Sequence, residues 1–190
     1  MLNVRPMKTL ILTALLLASL NTLARTSDRI DRAALQALET RNYDTSRAIH
    51  TLYGYPINHE DVNYGYLACA RVVAAVLTAA DIFVPRLHPE TGEETRNLAL
   101  AVFEVERKLS RLGWKKILRE EELLPGDVVV WRGVRNDIPP YRCSGGGNCH
   151  VGIVTSQGTF HNNFAEARPN FDITPLAGTF VFKMGYRAPY

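Results

Sequence analysis

The chain has 190 residues, 46% hydrophobic and 22% charged, with two Trp, eight Tyr and seven Phe, enough apolar material for one domain with a sizeable core. Its formal charge of +3 comes from 22 Lys and Arg against 19 Asp and Glu with no basic run, so nothing in the charge points to a nucleic-acid partner. Three cysteines, an odd number, leave at least one thiol outside any internal disulfide.

Residues 1–24, MLNVRPMKTLILTALLLASLNTLA, carry Arg5 and Lys8, no acidic residue, and an apolar run from Thr9 to about Leu20 that ends in small residues, with Ala24 at the cleavage position. This is the pattern of a secretory signal peptide. The apolar run is short for a bilayer span, which takes about 20 residues. The expectation is export to the periplasm or beyond the cell, with no stable membrane insertion after cleavage. Removing Arg5 and Lys8 lowers the formal charge from +3 to +1.

The spacing predicts a helix from Ser27 to Glu39, capped by Ser27 or Asp28, with Ile30, Ala33, Leu35 and Leu38 on its apolar face. Thr45 to Leu52 reads as a short second helix, and LYGYPINHEDVNYG as a loop. Tyr66 to Ala80 is the strongest helix, because Cys69, Val72, Val73, Val76 and Ala80 fall at i, i+3, i+4, i+7 and i+11. Asn63 or Gly65 would cap it. FVPRLHPETGEET reads as a loop, followed by a helix from about Asn97 to Leu112 that Gly113 terminates. The pattern then changes to strands: LLPGDVVVW, CHVGIV, GTFHNNF and GTFVFKMGY, with Arg132–Asn148 as an exposed loop between the first two. Helices followed by adjacent antiparallel strands indicate an α+β fold. Residues 25–62 form an N-terminal helical segment in this reading, and residues 63–190 the main domain.

Cys143 and Cys149, separated by SGGGN, are placed to close a disulfide, which leaves Cys69 over. An unpaired thiol in an oxidising compartment needs either burial or a use. A working cysteine needs a neighbouring base and gains from the positive end of a helix. His50, His59 and His88 lie beside turns and read as surface residues, whereas His150 opens a strand directly after Cys149 and is the candidate base. Packing within its own apolar stripe is the competing account of Cys69. A metal site on Cys149, His150 and His161 has a poor ligand count, and no cofactor is expected.

The residue orienting His150 must share its strand face. A two-residue turn at Gln157-Gly158 would pair Val154 with His161 and turn His161 inward. A three-residue turn, Ser156-Gln157-Gly158, would pair Gly152 with Asn162 and turn Asn162 inward. The second is favoured, since Gln suits a first turn position with positive φ poorly and Gly suits the third. Tyr66, one helical turn before Cys69, is placed either to donate to an oxyanion or to pack at the helix start. Asp127 belongs to the Pro-Gly-Asp turn. Trp114 and Trp131 read as core residues, with a groove-lining role as the alternative.

PGDVVVW, then HVGIV, then TFHNN resembles the strand core of the NlpC/P60 and CHAP group of cell-wall cysteine peptidases and amidases, over about Tyr66 to Tyr186. The resemblance implies a papain-like α+β fold, N-terminal helices packed on a small antiparallel sheet, with Cys69 as nucleophile, His150 as base and Asn162 or His161 as third residue. It implies an exported hydrolase cleaving amide bonds of peptidoglycan, as endopeptidase or amidase, with a wall peptide as substrate partner. At the nucleophile the chain has Ala68-Cys69-Ala70-Arg71 where NlpC/P60 families have Asp-Cys-Ser-Gly, so the substrate preference attached to that motif does not carry over. A non-catalytic wall-binding or toxin-like module on the same fold is the alternative.

Overall fold

The computed structural model describes residues 26–39, 49–58, 68–134, 149–163, 166 and 168–189. The signal segment, the expected caps Asn63 and Gly65, and most of the Arg132–Asn148 loop lie outside the described residues. Helix α1 spans residues 26–39, close to the expected Ser27–Glu39, and buries Ile30, Ala33, Ala34 and Ala37.

Strands β1 (Ile49–Leu52) and β2 (Tyr55–Asn58) form an antiparallel hairpin. This corrects the helix expected from Thr45 to Leu52 and shortens the loop expected after it. Tyr53 and Gly54 both have positive φ (52° and 79°), the conformation a two-residue hairpin turn requires, and Gly54 adopts it without a Cβ penalty.

Helix α2 (Ala68–Ala79) is buried from Ala68 to Leu77 and packs on the central sheet. Its small side chains let the sheet approach closely. Val72, Val73, Val76 and Leu77 are fully buried, each worth roughly 1.5–3 kcal/mol relative to exposure.

The segment expected as a loop followed by a helix from Asn97 is a hairpin, β3 (Pro85–Leu87) and β4 (Glu94–Leu98), followed by helix α3 (Val102–Arg111). The cause is Glu104. Its buried carboxylate accepts the N–H groups of Leu87 (2.6 Å), Leu100 (2.7 Å) and Ala101 (2.9 Å), so the helix cannot begin before residue 102 without losing them. Gly113, at φ +72°, follows the helix end as expected.

Among the described residues the central sheet has six strands: β5 (Lys115–Ile117), β6 (Val128–Gly133), β7 (Cys149–Thr155), β8 (Gly158–Asn163), β9 (Arg168–Asn170) and β10 (Phe180–Arg187). Their order is β5-β10-β6-β7-β8-β9 and every pairing is antiparallel. The architecture is α+β, with helices and an antiparallel sheet. Val128, Val130, Val151, Ile153 and Phe160 face α1 and α2 in the main core. Val129 and Trp131 face the other way, into a second cluster with Leu176, Val154, Phe180 and Phe182. Burial on both faces explains the unbroken valine run of β6.

Two contacts fix α1 against this sheet. Gly126, at φ +90°, sits so close to α1 that a Cβ there would lie 2.6 Å from the Cα of Ser27. Asp31 accepts the N–H of Ser156, in the β7–β8 turn, at 3.0 Å.

Candidate active site

His150, the second residue of β7, is 3% exposed. It pairs across the sheet with Trp131 of β6, the ring centroids 5.8 Å apart, and Phe180 of β10 lies 5.6 Å from it. Gly152 pairs with His161 of β8. Side chains alternate along a strand, so His150, Gly152 and His161 share one face. A Cβ at Gly152 would lie 2.6 Å from the Phe160 carbonyl oxygen, 3.1 Å from Cζ3 of Trp131 and 3.2 Å from Cβ of His161. Only glycine lets Trp131 and His161 close over this point.

The β7–β8 turn consists of Ser156 and Gln157, closed by the pair Thr155–Gly158. Both registers considered from the sequence are therefore displaced. Neither turn residue has positive φ. The turn is held by side chains instead: Thr155 Oγ1 donates to the Gly158 carbonyl (2.7 Å) and accepts from the Gln157 N–H (3.2 Å), while Asp31 takes the Ser156 N–H. The preference for Asn162 rested on a three-residue turn. With two residues in the turn, His161 is the one brought to His150, and Asn162 is buried on the other face.

Nε2 of His150 and Nδ1 of His161 are 2.9 Å apart, and Nε2 of His161 is 2.9 Å from the carbonyl oxygen of Asp172. A carbonyl only accepts, so Nε2 of His161 carries a proton and donates it. In the neutral ring Nδ1 then accepts, which requires Nε2–H on His150. The lone pair of neutral His150 is thereby assigned to Nδ1. Burial, and secondly the neighbouring His161, push His150 down to about 3. Burial also lowers His161, against the opposing pull of the Asp172 and Asn162 carbonyls and the Asp172 carboxylate. Both rings rest neutral.

Cys69 is the second residue of α2, 6% exposed and free, in the core cluster with Val72 and Val76. Burial pushes its thiol up to about 11, opposed by the backbone N–H groups of Val151, Ala70 and Cys69 itself. Val151 follows His150 in β7. The sulfur therefore meets β7 at the backbone N–H of Val151, a residue whose side chain belongs to the α2 core. The imidazole of His150 faces the Trp131 side.

Tyr66, His59 and Cys143 lie outside the described residues, and Cys149 opens β7. His88 serves a surface turn, its Nδ1 accepting the N–H groups of Glu90 and Thr91 at 3.3 Å. Trp114 and Trp131 are both buried, 7% and 6% exposed. Asp127 accepts from Arg187 at 2.9 and 2.7 Å and from the Leu124 N–H at 2.8 Å, which ties the Pro-Gly-Asp turn to β10. Sequence reasoning did not assign Trp131, Phe180 and Asp172 to the surroundings of His150. The first two come together only through strand register, and Asp172 acts through a backbone atom.

No family model matches the chain, and neither a curated protein nor a solved structure matches it. Among the described residues, no helix is long and apolar enough to cross a membrane.

Proposed function

We propose that the chain is an exported cysteine hydrolase of the papain-like NlpC/P60 type, cleaving amide bonds of peptidoglycan as an endopeptidase or amidase. Cys69 is the nucleophile, His150 the base, and His161 the residue that orients it. The observation that carries the reading is the directed chain from the Asp172 carbonyl through His161 to His150, which leaves the lone pair on Nδ1. The N–H groups of Val151, Ala70 and Cys69 near the sulfur favour negative charge there, the second support.

In this reaction Nδ1 of His150 takes the thiol proton as the sulfur attacks the scissile carbonyl, a step that requires the imidazole, on the Trp131 side of β7, to be brought within reach of the sulfur on the α2 side. The imidazolium returns that proton to the leaving amine, and the acyl group remains on Cys69. Water, deprotonated by the same Nδ1, then releases the carboxylic acid and regenerates the thiol. Because thiol and imidazole both rest neutral, proton transfer accompanies attack rather than preceding it. A Cys143–Cys149 disulfide, holding the start of β7, belongs to the same proposal.

A second reading is favoured by two observations: Cys69 is buried among Val72 and Val76 with its thiol raised, and the imidazole of His150 faces the opposite, Trp131 side of β7. The first is the environment of a core cysteine in a non-catalytic wall-binding module. Purified cell-wall sacculi separate the two. The hydrolase releases free amino groups, and Cys69→Ala does not. Sedimentation of the protein with sacculi, without release by either form, would favour the binding module.

A further inference from the structure

The base proposed above depends on which nitrogen of His150 bears the lone pair, and the loop after β9 decides this. The carbonyl of Asp172 accepts from Nε2 of His161. Its position is fixed from both sides. The N–H of Asp172 donates to Oδ1 of Asn170 (3.0 Å), and Oδ1 of Asp172 accepts the N–H of Thr174 (2.9 Å). Asn170 is itself the β9 partner of His161 in the ladder, so the residue opposite the ring also holds the amide of the residue that bonds to it. Phe171 packs over Gly158, its Cγ 3.4 Å from where a Cβ would lie, and Leu176 enters the cluster containing Trp131. The exposed carboxylate of Asp172 accepts from Thr174 and acts on the ring only as a nearby charge, the hydrogen bond to Nε2 being the carbonyl's.

The geometry points to Asn170–Thr174 as a positioning element that selects the tautomer of His161 and, through it, makes Nδ1 of His150 the proton acceptor. This rests on the reading of His150 as the base. A backbone carbonyl cannot lose its acceptor role with pH, so the chain His150–His161–Asp172 has one direction as long as both rings are neutral. Were the loop displaced, His161 would be free to protonate at Nδ1. His150 would then have to turn its own Nε2 into an acceptor, moving the proton to Nδ1 and removing the base.

The test is nitrogen-resolved NMR of the imidazoles in the chain lacking residues 1–24, labelled at histidine. In the wild type, His150 and His161 each show a protonated Nε2 and a bare Nδ1. Asp172→Ala, which loses the Thr174 anchor, shows His161 in a mixture of tautomers. Asp172→Asn keeps an oxygen acceptor for the Thr174 N–H and keeps the wild-type spectrum. Asn170→Ala frees the Asp172 amide and gives the mixture by a second route, which keeps the test open should Asp172→Ala not fold. A protonated Nδ1 on either ring of the wild type would overturn the proposal, as would unchanged tautomers in both alanine variants. The readout does not use activity. Absence of release from sacculi by the wild type would remove the hydrolase reading and leave the tautomer result standing.

Discussion

Nε2 of His150 and Nδ1 of His161 stand 2.9 Å apart on neighbouring strands, their rings inclined at 78° with Trp131 beside both. If His161 orients His150 through that bond, an acceptor at the Nδ1 position is what matters. The side-chain oxygen of Asn lies near that position, so His161→Asn should retain activity on sacculi within about tenfold. His161→Leu should lose it by on the order of 10²-fold or more in kcat, the scale of general acid–base catalysis. Equal losses in the two variants would remove the orienting role.

Buried neutral histidines make the fold sensitive to acid. In the unfolded chain an imidazole takes up its proton as pH falls through about 6.5. In the fold His150 is pushed down to about 3 and His161 is lowered as well. Between the folded and unfolded values the unfolded state binds more protons. Stability is therefore full above about pH 6.5 and declines as pH falls toward 3, by up to about 1.4 kcal/mol per unit for each fully buried imidazole. Urea midpoints should fall between pH 7.5 and 4.5. A midpoint unchanged over that range would contradict neutral burial of the pair.

The thiol of Cys69, raised to about 11 by burial, should be slow to alkylate in the native protein at pH 7.5. Unfolding without reductant should expose one reactive thiol, since Cys143 and Cys149 are proposed to be paired. Rapid native labelling would show a preformed thiolate and contradict the neutral resting pair. Uptake of three labels on unfolding would contradict the disulfide.

Asp127 is 1% exposed at its side chain and bonded twice to Arg187. Arg187→Met leaves that carboxylate buried without its charge partner, a loss of about 3–5 kcal/mol. Urea denaturation should detect it directly. A change below about 1 kcal/mol would mean that the Pro-Gly-Asp turn is held by other contacts.

Much of the sheet was legible because its signals are local. The valine run of β6, the HVGIV of β7 and the apolar spacing of α2 identify themselves over a few residues. The misread parts depend on partners far away in sequence. Glu104 gathers N–H groups from Leu87 and Leu100, which turns an expected helix start into a strand and a gap. Asp31 reaches the β7–β8 turn 125 residues later, and no turn propensity contains that contact. The same turn decided between Asn162 and His161, so a local error of register moved the preferred third residue by one position. His150 and His161 were both named from the sequence, but the carbonyl of Asp172 has no residue signature to read.

The central claim is that Cys69 performs chemistry. Release of free amino groups from purified sacculi by the chain lacking residues 1–24, compared with its Cys69→Ala variant, tests it most directly. The account predicts release by the wild type and background release by the variant. Equal release by both, or none by a wild type that binds the sacculi, would contradict it.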